Sequence, residues 1–90
     1  MMTEYLVYQY RVVKNTSRRW HPVAIVKAKD KNEAIRLVYY CSNVWSEDFL
    51  KAKPISQVPQ RHIDSVYVNS LRYPVPQKNR HPQIVASFDF

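Results

Sequence analysis

Residues 22–41 read PVAIVKAKDKNEAIRLVYYC, and the change of period inside that run decides the fold. Up to Lys29 the pattern repeats every second residue. Ala24, Val26 and Ala28 fall on one side and Val23, Ile25, Lys27 and Lys29 on the other, as a strand requires. From Asp30 the spacing is helical. Asp30 is placed to cap, Glu33 stands three residues on as in a capping box, and Ala34, Leu37, Val38 and Cys41 form an apolar stripe with Ile35 beside it. A strand passing directly into a helix that ends near Cys41 or Ser42 is the seed of an α+β domain.

Outward from this run, residues 4–14 also alternate, with Leu6, Tyr8, Tyr10 and Val12 against Tyr5, Val7, Gln9, Arg11 and Val13. The short polar break at 15–18 predicts an antiparallel hairpin with Arg18 and Arg19 at its tip. Downstream, residues 46–53 read as one or two turns of a second helix. Ser46 is its cap, Glu47 and Asp48 its acidic start, Lys51 and Lys53 its basic end, and Pro54 its stop. Residues 54–60 read as a loop. Residues 62–72 read as a third strand, Ile63, Tyr67 and Leu71 on one side and Val66 and Val68 on the other. Residues 73–77 read as a proline-stiffened connector. The last strand is 84–90, with Ile84, Ala86, Phe88 and Phe90 inward and Val85, Ser87 and Asp89 outward. The expected fold class is α+β: a small antiparallel-rich sheet of about four strands in β-β-α-β-β order, one main helix packed on one face. All 90 residues form a single small basic domain. With the helix over Ala24, Val26 and Ala28, the lysines of the second strand face an open sheet surface, which Arg11 can share with Tyr5 and Val7 depending on register.

Composition narrows the chemistry. At 46% hydrophobic and 23% charged the chain is a folding one, with a thin core to which aromatic rings contribute much. Glycine is absent, where average usage of about 7% gives about six. That excludes glycine-based phosphate loops and dinucleotide fingerprints, and leaves positive-φ turns to Asn or Asp. The single cysteine, Cys41, has no disulfide or zinc partner of its own kind and reads as a small buried hydrophobe on the helix stripe. His21, His62 and His81 are scattered, so no metal or other cofactor is expected. No nucleophile–base–acid set is present. Glu47 and Asp48 suit a helix start, and His62 with Asp64 reads as an exposed pair on one strand face, so the chain is expected not to be an enzyme. Neither a signal-peptide pattern nor an apolar run approaching about 18 residues occurs, which predicts a cytoplasmic protein with no membrane partner.

Charge carries the functional expectation. Between Arg11 and Lys31 seven cations face one acid, Asp30, leaving there six of the chain's seven net positive charges. Arg11, Lys14, Arg18, Arg19, Trp20, Lys27 and Lys29 are the candidate binding residues. Cations set among aromatics on a hairpin suit phosphates and stacked bases, which makes DNA or RNA the first expected partner. The alternative is an acidic protein surface, met by a small inhibitor or adaptor of the host-takeover type that phages encode. Tyr39, Tyr40, Trp45, Tyr73, Phe88 and Phe90 are more rings than one helix covers, so a second copy of the chain is also a candidate partner.

The run from Trp20 to Tyr39, WHPVAIVKAKDKNEAIRLVY, preceded by the strand from Tyr5, resembles the β-β-α start of a eukaryotic and archaeal large-subunit ribosomal protein family. The resemblance covers about a third of the chain and implies ribosomal-RNA contact through basic hairpin residues. After the helix the chain departs from that pattern, with Cys41-Ser42-Asn43-Val44-Trp45 where glycine and basic residues are expected. The likeness is therefore read as one of architecture alone.

Overall fold

The computed structural model describes residues 2–11, 19–42, 44–69, 71–72 and 83–87, and in it the period change at Asp30 is a strand-to-helix junction. Strand β1 spans Thr3–Arg11 and β2 Arg19–Ala28, followed by helix α1, Lys31–Cys41. A 3-10 turn at Glu47–Phe49 leads into β3, Leu50–Pro54; a second at Ile55–Gln57 leads to helix α2, Gln60–Asn69, then β4, Leu71–Arg72, and β5, Gln83–Ser87. The strands form one sheet in the order β3-β1-β2-β5-β4, every neighbouring pair antiparallel. The fold class is α+β.

The junction is built as its residues dictate. Asp30 Oδ1 accepts a hydrogen bond from the Glu33 amide at 2.8 Å, and Glu33 Oε1 accepts one from the Lys29 amide at 2.9 Å. Two amides at the helix start are thereby satisfied by side chains, a capping box displaced by one residue. Ala34 and Val38 are fully buried, with Ile35 and Leu37 packed beside them against Tyr5, Val7, Ala24, Val26 and Ala28. Without glycine, the helix closes on Ser42 in an extended conformation (φ −128°), its amide donating to Tyr39 O. Cys41 is exposed at the last helical residue, a correction to its expected burial: the stripe has run past the sheet one turn after Val38.

Both faces of the sheet carry a helix, where one was expected. Residues 60–69 are α2 and not a strand. Ile63, Val66 and Tyr67 fall at i, i+3 and i+4, so the spacing serves a helix as well as a strand, and in the fold Ile63 and Val66 pack on Leu6, Tyr8, Ile25 and Ala86. His62 and Asp64 consequently diverge by about 200° around the helix axis. The Tyr8 hydroxyl hydrogen-bonds His62 Nδ1, while Gln60 Nε2 donates to Asp64 Oδ1, an i,i+4 pair.

Residues 46–53 are not a second helix. Ser46 Oγ accepts from the Asp48 amide at 3.2 Å, yet the turn it caps ends at Phe49. Leu50 and Ala52 are buried toward α1 while Lys51 and Lys53 alternate to the other face. Lys53 also precedes a proline, which favours extended backbone. In β2, Pro22 sits at a bulge opposite Tyr8, a setting where proline is tolerated in a sheet. A second irregularity, at Val85, sets Ile84 against the α1 side while Val85 and Ala86 pack toward α2. Ser87, expected outward, is fully buried, because neither face there meets solvent. Residues 12–14 of the first expected strand, the 73–77 connector and residues 88–90 lie outside the described residues.

Candidate binding surface at the hairpin and edge strand

The side chains of β1 with even numbers and those of β3 with odd numbers point to the α2 face. Helix α2 covers the β2–β5 side of that face, Ile55 and Val58 pack toward Leu6 and Tyr8 of β1, and among the described residues Tyr10, Trp20, Lys51 and Lys53 at the hairpin end and edge strand are the less covered ones. There Tyr10 and Trp20, a cross-strand pair, meet edge to face with ring centroids 5.2 Å apart. Lys51 lies opposite Tyr8 on the edge strand and holds Nζ 4.5 Å from the Trp20 ring centroid and 5.8 Å from that of Tyr8. Lys53, exposed, follows two residues along the same edge.

These side chains line a cleft of about 300 Å³ formed by Tyr8, Trp20, Lys51, Lys53, Gln57, Val58, Pro59 and His62. Its floor is the Tyr8–His62 pair, 2.8 Å from hydroxyl to Nδ1 with the rings edge to face. Burial holds the Tyr8 phenol above its ordinary pKa by desolvating the phenolate, so the hydroxyl stays protonated. Among the described residues no acid lines the cleft. A larger cleft of about 370 Å³ beside α1 is lined by Arg36 together with two acids, Glu47 and Asp48, so its described charged lining is net negative. Two cations beside two aromatic rings, with a hydrogen-bonding imidazole below, form a surface suited to anions that carry flat rings.

The four candidate residues whose side chains are described, Arg11, Trp20, Lys27 and Lys29, do not converge. Trp20 belongs to this surface, 36% exposed. Arg11 is exposed on the opposite face of the sheet, its guanidinium donating to Gln9 Oε1 at 3.1 and 3.2 Å. It shares the alternation of Tyr5 and Val7, but that face is the one α1 covers. Lys27, half-buried on the α2 face opposite Glu4, lies seven residues from Trp20, about 23 Å along the strand. Lys29 belongs to the helix start, its Nζ 3.9 Å from Glu33 Oε2. The open lysine face expected for Lys27 and Lys29 is thus corrected by the presence of α2. Lys14 and Arg18 lie outside the described residues, and Arg19 is placed by its backbone alone.

Sequence reasoning missed Lys51, Lys53, Tyr8 and His62. Their signal is the alternation Leu50-Lys51-Ala52-Lys53 before Pro54, which the acidic pair at 47 and 48 made look like the tail of a helix. Among the other expected aromatics, Trp45 is 91% and Tyr40 76% exposed. Among the described residues no helix is long and apolar enough to cross a membrane. No family model, curated protein or solved structure matches the chain.

Proposed function

We propose that this domain is a non-enzymatic nucleic-acid-binding module that contacts phosphates and bases through its basic, aromatic hairpin and the adjoining edge strand. The observation supporting the reading is the Tyr10–Trp20–Lys51 cluster beside Lys53 over a cleft that no described acid lines, in a chain of net charge +7. Cations neutralise the strand, aromatic rings take the bases, and neither contact demands a particular sequence. Lys14, Arg18 and Arg19 extend the same positive charge along the hairpin in sequence. A reducing, cytoplasmic setting fits a chain with one unpaired cysteine.

The test is a titration with generic single- and double-stranded DNA and RNA at increasing salt. Log affinity is expected to fall linearly with log salt, by about 0.7 per phosphate contact on single strands and about 0.9 on duplex. Arg18→Ala with Arg19→Ala weakens binding while the domain stays folded. Absence of binding at low salt overturns the reading. In that event the second reading, a protein-binding inhibitor or adaptor, takes its place; it draws on the exposure of Trp45 and Tyr40, ring types that anchor protein interfaces.

A further inference from the structure

We infer that the cleft between β3 and the start of α2 is a pocket for one unstacked nucleotide, its base on Trp20 and its phosphate on Lys51 and Lys53; this rests on the nucleic-acid reading of the same surface. Size is the first argument. At about 300 Å³ the cleft stands at the lower limit of ligand pockets, enough for one planar ring system and too small for a duplex edge. A base reaches it only when unpaired, as in single strands or loops.

Chemistry is the second argument. Lys51 rests over the indole of Trp20 on a flexible stem, so the same ammonium that covers the empty ring can swing to a phosphate as a base takes the ring. Lys53 stands beside it on the same strand face, exposed and with no acid among the described residues of the cleft lining to compete for it. Val58 and Pro59 supply apolar walls. His62 spends Nδ1 on Tyr8, which orients the ring and leaves Nε2 as its remaining hydrogen-bonding atom toward a base edge. The occupant is therefore a nucleotide, drawn either from a strand or from free nucleotides.

The experiment uses the Trp45→Phe variant, in which Trp20 is the one remaining tryptophan and its fluorescence reports the cleft. Three probes are compared at one salt concentration: a single-stranded oligonucleotide, an abasic strand of equal phosphate number, and a nucleoside 5′-monophosphate. The base-bearing strand is expected to bind roughly five- to a hundredfold more tightly than the abasic one and to quench Trp20. Trp20→Leu brings that ratio toward one, whereas Lys53→Gln weakens both strands and preserves it. Saturable quenching by the monophosphate, at an affinity matching the strand's, supports the pocket and assigns its ligand to free nucleotide. Equal binding of both strands with Trp20 unquenched overturns the pocket and leaves nucleic-acid binding standing. Failure of every probe to bind overturns both.

Discussion

Tyr8 shows how one residue serves two ends. Its ring is buried among Leu6, Ile25 and Ile63, yet its hydroxyl reaches His62 at the cleft floor. Because burial raises its pKa above 10.0, the unfolded chain releases this proton first as pH climbs. The contribution to stability is thus present below pH 10 and lost as pH rises through the folded value. An alkaline ultraviolet titration is expected to contain a late-ionising component that Tyr8→Phe removes; an unchanged titration curve would contradict the burial of this phenol. Ser87 presents the opposite case, a fully buried hydroxyl with no hydrogen-bond partner among the described residues. Ser87→Ala relieves an unpaired polar group and is expected to raise stability by about 1 kcal/mol in denaturant unfolding. A loss of stability would mean that the hydroxyl is satisfied.

At the scale of the element, α2 separates what the sequence discloses from what only the fold decides. Read as a strand, Val66 and Val68 share a side; on the helix they stand about 200° apart, one fully buried and the other 80% exposed. Val66→Ala is expected to cost about 1–3 kcal/mol by removing core volume, and Val68→Ala to stay within about 0.5 kcal/mol. Similar losses at both positions would restore the strand reading. The junction at Asp30 was legible because cap, stripe and strand alternation all agree there. Asp30→Ala is expected to cost about 1 kcal/mol, read from the urea midpoint. Residues 46–69 were less legible for a physical reason: Ile63, Tyr67 and Leu71 satisfy period 2 and period 4 alike, and Lys51 and Lys53 suit a helix end as well as an edge strand. Long-range pairing of β3 with β1 settled the second ambiguity, and packing on Ile25 and Ala86 settled the first.

For the whole molecule, the addition of α2 changes where a ligand can meet the sheet. With α1 on one face and α2 over the β2–β5 half of the other, the cleft of the site lies toward the β1–β3 edge, where Trp20 and two lysines gather. The basic segment from Arg11 to Lys31 was legible as charge, but its described side chains divide among the end of β1 (Arg11), the half-buried Lys27 near the end of β2, and the start of α1 (Lys29 and Lys31). The site instead joins one residue of that segment to an edge strand thirty residues downstream. Lys51, half-buried, and Lys53, exposed, also guard the edge against strand-to-strand aggregation, so the decisive question is whether they carry phosphate. The measurement is the salt dependence of single-stranded oligonucleotide affinity for the native chain and for Lys51→Ala/Lys53→Ala. Loss of two phosphate contacts is expected to make the slope of log affinity against log salt shallower by about 1.4; an unchanged slope and affinity would contradict a nucleic-acid surface at this edge.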